Sequence, residues 1–193
     1  MSNIITVRSL VSILLVSFII ILGGIKILSV IFPQNSAKVA NINLIDHDGK
    51  QIPYSSLDDR QKLVFFGFTN CPSICPAALA NISAALDIIG KDATKLHVMF
   101  ITTDPKRDTP EVLKSYISNF NSNIVGYTGA HDELKKIYKQ YYVYTQEAPP
   151  GKTEYDLNHS TTVYLIGKDG ELVDHYEADA DPEEMAKAVK EKL

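Results

Sequence analysis

The chain has two cysteines, Cys71 and Cys75, four positions apart in the run Phe68-Thr69-Asn70-Cys71-Pro72-Ser73-Ile74-Cys75-Pro76. Two sulfurs at this spacing can close a disulfide or share one soft metal ion, because one helical turn spans only about 5.4 Å. An apolar, strand-like segment precedes the pair and a helix-like one follows it. Pro76 suits the first helical position, where its missing N–H costs nothing, and this makes Cys75 the expected N-cap. A thiolate there would face the unpaired N–H groups and the positive end of the helix dipole. Its pKa is therefore expected to fall, making it a better nucleophile and metal ligand. The competing expectation is a pair of buried, inert thiols, since free cysteine is often buried.

The elements that must position the pair can be read along the chain. Leu63–Phe68 is a nearly continuous apolar run, as expected of a strand covered on both faces. Ala77–Ile89 has helical spacing with Gly90 as its stop, and Leu96–Ile101 is a second buried-type strand. The connection from Thr102 to Glu111 ends in a helix-start signature: Asp108 and Glu111 form a capping box around Pro110, opening a helix to about Phe120. Ile124–Thr128 reads as a short strand and Asp132–Gln140 as a helix with Lys and Tyr along one side. The proline- and glycine-containing stretch Glu147–Thr153 is the segment expected to move most. Hairpins are predicted at both ends of the domain, Ile42–Ile45 with Gln51–Pro53 and Thr162–Ile166 with Leu172–Tyr176. Asp181-Pro182-Glu183-Glu184 is a further capping box and opens a terminal helix to Leu193. This order predicts an α/β domain with a mixed sheet, parallel in the middle and antiparallel at the end, flanked by helices on both faces.

At 193 residues the chain suits one domain plus an appendage. From Ser9 to Phe32 it is apolar or small apart from Lys26. A helix of that length would span about 36 Å against a hydrocarbon core of about 30 Å, and Lys26 lies near enough to one end to snorkel. An uncleaved transmembrane anchor is expected over a signal peptide, because Ala37-Lys38-Val39-Ala40 fits a cleavage site poorly, and no cysteine follows for lipid attachment. One arginine before the segment is too few for a mitochondrial transit peptide, so a bacterial inner membrane is expected over the mitochondrial one. Arg8 favours a cytoplasmic N-terminus, with the soluble domain in the periplasm. The expected layout is a tail over 1–8, an anchor over 9–32, a linker over 33–41 and a folded domain over 42–193. The part beyond the anchor carries 17 of the 19 basic residues and all 23 acidic ones, a formal charge of −6. With no basic block, nucleic acid is not an expected partner.

A dithiol at the end of the first buried strand, leading a helix, looks like a thioredoxin fold. Three motifs carry the resemblance further: Phe65-Phe66-Gly67-Phe68-Thr69-Asn70-Cys71-Pro72-Ser73-Ile74-Cys75-Pro76, then Thr103-Asp104-Pro105-Lys106-Arg107-Asp108-Thr109-Pro110-Glu111, then Asn158-His159-Ser160 before Tyr164–Gly170. Together they closely resemble the Sco (SenC) family of copper chaperones, from about residue 42 to the C-terminus. The resemblance implies a membrane-anchored, thioredoxin-like protein that binds copper through Cys71, Cys75 and a distant histidine, His159. It also implies a copper donor protein and, as recipient, the dinuclear copper site of cytochrome c oxidase subunit II. Asn158 departs from the family, which commonly has Asp before the histidine; the ligand stays in place but any role for a neighbouring carboxylate is lost.

Copper also suits the ligand chemistry, because Cu(I) is soft and accepts low coordination while Cu(II) ranks highest in affinity among divalent ions. Zinc would usually want a fourth ligand, and no third cysteine exists. By spacing alone any of five histidines could complete the set: His47 in a turn, His97 in a strand, His131 at a helix start, His175 on a late strand, or His159. His159 stands out because it closes the Pro-Gly loop just before a strand, so it can swing toward the dithiol. The resemblance selects the same residue. Asp108 is expected to be a helix cap, and Asp104 either a turn former before Pro105 or a residue near the metal. Asp46-x-Asp48-Gly49 resembles the start of a calcium loop but lacks its remaining ligands, so a hairpin turn explains it better. Tyr138, Tyr141, Tyr142 and Tyr144 are expected to pack, or else to form a docking surface beside the site. The expected function is copper delivery rather than enzymatic catalysis. The alternatives are a thiol-disulfide oxidoreductase acting through Cys71 and Cys75, which would reduce the recipient's cysteines, and a redox or copper sensor.

Overall fold

In the computed structural model, which describes residues 42–146 and 158–193, the chain enters the sheet through a hairpin of β1 (Asn43–Asp46) and β2 (Gln51–Pro53). The Asp46 carboxylate accepts from the Asp48 and Lys50 N–H groups and closes the turn, so this aspartate is a turn former as expected. A 3-10 turn over Tyr54–Leu57 leads to β3 (Gln61–Gly67), the long helix α1 (Ile74–Ile89) and β4 (Leu96–Thr102). Then come α2 (Pro110–Ile117), β5 (Ile124–Thr128) and α3 (His131–Gln140). The described chain closes with the hairpin β6 (Thr162–Ile166) and β7 (Leu172–Glu177), then α4 (Pro182–Lys190). The expected tail, anchor and linker, and the Glu147–Thr153 loop, lie outside the described residues.

The strand order is β2-β1-β5-β4-β3-β6-β7. β3, β4 and β5 run parallel, while β6 pairs antiparallel with β3 and β1 pairs antiparallel with β5. Alternation along β3 divides the core. Leu63 and Phe65 face α1, α2 and α4 in one cluster, and Val64 and Phe66 face α3 and Tyr54 in the other. Burial on both faces is why β3 reads as an unbroken apolar run. The mixed, doubly covered sheet expected from the element order is therefore the one observed.

α1 with its 3-10 continuation to Lys95 is long and apolar enough to resemble a membrane span. Its Ala78, Leu79, Ile82, Ala85, Leu86 and Ile89 are instead buried in the first core cluster, which makes it a core helix. Gly90, at φ 64°, ends it as expected.

Four helix ends differ from expectation. α1 begins at Ile74 with Ser73 as N-cap, so Cys75 is its second residue and Pro76 its third. Proline is tolerated there because none of the first four N–H groups has a partner within the helix. α2 is capped by Thr109, whose side chain accepts from Val112 N, with Pro110 in its first turn; Asp108 is not the cap. α2 also stops at Ile117, and single-turn hydrogen bonds carry the chain on to Phe120. The Asp181 cap of α4 is as expected, accepting from Glu183 N and Glu184 N, but the helix ends at Lys190.

Parallel pairing brings the C-terminal ends of β3 and β4 to one edge, with Gly67 opposite Thr102. Antiparallel pairing brings the beginning of β6 to the same edge, with Val163 opposite Phe65. At the start of β3, Lys62 is fully buried, its Nζ 2.9 Å from Asp58 Oδ1 and 5.7 Å from the Tyr54 ring centre. Removing the carboxylate would leave a buried ammonium uncompensated, whereas removing the ammonium leaves a carboxylate that still reaches water. Urea melts should therefore show Asp58→Asn less stable by about 3 kcal/mol and Lys62→Met much closer to wild type. Equal losses would contradict this account of the pair.

Candidate metal centre

The residues after β3, after β4 and before β6 meet at that shared edge. The Gly67 carbonyl accepts from Thr103 N at 2.6 Å, joining the two strand ends. A Cβ at position 67 would lie 2.8 Å from Cys75 Sγ and 2.8 Å from the Phe100 ring, so glycine alone lets the thiol pack against the strand. Beyond it the chain turns, with Cys71 N donating to the Phe68 carbonyl at 3.2 Å.

The two thiols have different surroundings. Cys71 is half-buried, and its Sγ accepts from Cys75 N at 3.5 Å. It thus supplies the capping acceptor that Ser73, with no side-chain hydrogen bond, does not. Cys75 is fully buried at the start of α1. Burial pushes its thiol well above the usual range, outweighing the hydrogen bond from the Phe68 backbone. The expectation of a lowered pKa at Cys75 is overturned, because the thiol lies inside the core and desolvation disfavours its charged form.

His159 approaches from the far end of the described chain. It forms a one-residue antiparallel bridge with Thr145, flanked by Gln146 N donating to the Asn158 carbonyl and Ser160 N to the Tyr144 carbonyl, both at 3.0 Å. The backbone is therefore pinned, and the ring reaches the dithiol without the swing expected of it. Nδ1 lies 2.7 Å from the Ser160 carbonyl. A carbonyl only accepts, so Nδ1 carries the hydrogen and the lone pair on Nε2 faces Cys75 Sγ at 3.3 Å. The edge-on rings of Phe68 and Phe65, with centres 5.5 Å and 6.2 Å away, hold the imidazole in that orientation. Burial lowers the His159 pKa, against the pull of the Ser160 carbonyl, and keeps the ring neutral as a ligand requires. The ligand atoms of Cys71, Cys75 and His159 all lie within 4.8 Å of one another.

The other histidines are elsewhere. His47 Nδ1 accepts from Gly126 N, His97 pairs with Asp59, His131 is the first residue of α3, and His175 lies on β7. Asn158 donates to Gln146 Oε1 at an exposed position. Asp104 is buried and pairs with Arg107, whose guanidinium lies 5.9 Å from the Phe68 ring centre. Its carbonyl accepts from Arg107 N and Asp108 N, so the turn-forming expectation describes it.

Asp108, expected to be a helix cap, has a different role. Its fully buried carboxylate accepts from Thr69 N at 3.1 Å, Thr69 Oγ1 at 2.6 Å and Thr102 Oγ1 at 2.6 Å. It links the dithiol loop to the end of β4. The tyrosine cluster divides: Tyr138 is buried and donates to the Thr102 carbonyl, Tyr141 meets the Tyr54 hydroxyl, and Tyr142 and Tyr144 are exposed. Gly67 was also missed, though a glycine ending an apolar run just before the cysteines was a signal of close approach.

Sheet order, dithiol position and the facing histidine define a thioredoxin-like domain with a Cys-Cys-His group able to hold a metal ion. The chain belongs to the SCO1/SenC family, whose sequence model matches residues 33–193. Protein sco1 of Schizosaccharomyces pombe is 36% identical over 151 residues, covering 76% of this chain and 57% of that protein. A SCO2-like protein of Rickettsia felis is 33% identical over 162 residues, covering 83% and 79%. Bradyrhizobium japonicum ScoI, solved with copper bound, is 38% identical with a TM-score of 0.72, covering 79% of this chain and 97% of that one. The chain spans little more than half the length of the S. pombe protein and of yeast SCO2.

The unequal thiols yield a direct test. Brief alkylation with iodoacetamide at pH 8, followed by peptide mapping, should label Cys71 and spare Cys75. Because the Cys75 pKa is raised, its labelling should keep increasing above pH 9, where an ordinary thiol levels off. Equal labelling at pH 8 would contradict the burial argument.

Proposed function

We propose that this protein is a copper carrier that holds the ion between Cys71, Cys75 and His159 and passes it to the dinuclear copper site of cytochrome c oxidase subunit II. The observation that carries this reading is the mutual approach of the three ligand atoms within 4.8 Å, with the Nε2 lone pair already facing a sulfur. Two thiolates and one imidazole form a soft, low-coordinate donor set that suits Cu(I), and Cu(II) remains favoured over other divalent ions. The copper bound in the B. japonicum relative supports the same choice.

The residues divide the work of holding and releasing. Cys75 is the buried ligand of the site, while Cys71 and His159 are both half-buried. A recipient thiolate would meet the half-buried ligands first, so transfer by ligand exchange begins on the side of Cys71 and His159 and ends with release from the buried Cys75. Copper entry displaces the proton of the Cys75 thiol, and the neutral imidazole is ready without losing one. In this reading residues 9–32 anchor the protein in a bacterial inner membrane, 1–8 and 33–41 flank the anchor, and the 42–193 domain meets a copper donor and its recipient in the periplasm.

A second reading is favoured by the two free cysteines, one half-buried and one buried: a dithiol that reduces the recipient's cysteines, oxidising itself to the Cys71–Cys75 disulfide. His159→Ala separates the two. Copper titration should show a binding constant at least about tenfold weaker and an altered Cu(II)–thiolate absorption band, while thiol-disulfide exchange by the pair persists. Unchanged affinity and spectrum would remove His159 from the site.

A further inference from the structure

We propose that Asp108 is the positioning residue of the metal loop: reaching across from the β4–α2 connection, its carboxylate holds Thr69 and thereby fixes where Cys71 presents its sulfur. The inference rests on the copper reading for one of its two readouts.

A carboxylate this deeply buried is costly unless every acceptor position is used. Asp108 is not needed as a helix cap, since Thr109 caps α2. Its three donors all come from the strand ends beside the dithiol. Their polarity is set by a short relay: Asp104 N donates to Thr102 Oγ1 at 2.9 Å, so the Thr102 hydroxyl hydrogen is directed onto Asp108 Oδ2. The same Oδ2 accepts from Thr69 N, and Oδ1 accepts from Thr69 Oγ1.

Thr69 is therefore gripped at both its backbone and its side chain, two residues before Cys71. Between them the chain makes the turn closed by Cys71 N on the Phe68 carbonyl. Cys71 Sγ in turn accepts from Cys75 N at the first turn of α1. The hydrogen-bonded path from β4 through Asp108 and Thr69 to the sulfur gives the loop one position, and the other face of that loop, Phe68, is the ring against which His159 stands.

Hydrogen bonding and charge make different predictions here. Asp108→Ala removes all three acceptors. Asp108→Asn can keep three bonds: its oxygen takes the place of Oδ2, and its amide donates to Thr69 Oγ1, whose hydroxyl can turn. If positioning is the role, Asp108→Ala should weaken copper binding by about 10–100-fold, and Asp108→Asn should recover most of that loss. Thr69→Val, which keeps the fold's buried residues intact, should weaken it by about tenfold through loss of one charge-assisted bond. The second readout needs no copper: the alkylation rate of Cys71 should rise in Asp108→Ala and Thr69→Val and return toward wild type in Asp108→Asn.

Lowered thermal stability in Asp108→Ala and Thr69→Val with copper affinity, Cu(II)–thiolate spectrum and Cys71 alkylation unchanged would overturn the proposal. So would Asp108→Asn matching Asp108→Ala in both readouts, because charge would then be the operative property. A wild-type protein that takes up no copper would defeat the copper reading alone, and the alkylation rates would still decide this one.

Discussion

Antiparallel pairing of β6 with β3 is the constraint on which the site depends. Cys75 and His159 are 84 positions apart, and no local structure could join them. Because β6 runs against β3, the residues entering β6 arrive where the chain leaves β3, and the imidazole stands against the thiol. Parallel pairing of β3 with β4 adds the third connection, bringing the turn containing Asp104 and Asp108 to the same place. The doubly covered core behind these strands, with Phe65 on one face and Phe66 on the other, supplies the rigidity that such a juxtaposition needs.

That rigidity produces an asymmetric dithiol. The close approach permitted by Gly67 pulls Cys75 into the core, where desolvation governs its chemistry, while Cys71 remains partly open. The histidine is correspondingly neutral and oriented by the Ser160 carbonyl and two aromatic edges. The group is thus arranged before any ion arrives, and little ordering entropy opposes its loading.

Much of this was legible in the sequence. Apolar runs and turn residues marked the strands, Ile124–Thr128 to the residue, and Gly90 and Asp181 marked helix ends, because each of those signals is local. Cys71, Cys75 and His159 were found as a set through their motifs, and the fold brings them together. Asp108 and Thr109 are both able to cap, and the proline after Thr109 was the signal that Thr109 does so. What no local pattern could convey was desolvation. Whether Cys75 is acidic or Asp108 buried depends on Phe100, Thr69 and Thr102, which reach them only after the sheet has formed.

In the copper reading, two sulfurs and one imidazole nitrogen share a single copper ion. X-ray absorption at the copper edge of the loaded wild-type protein tests it most directly. The account predicts two sulfur scatterers and one imidazole in the first coordination sphere of Cu(I). A sphere of sulfur alone, or one without the imidazole's outer-ring signal, would contradict it.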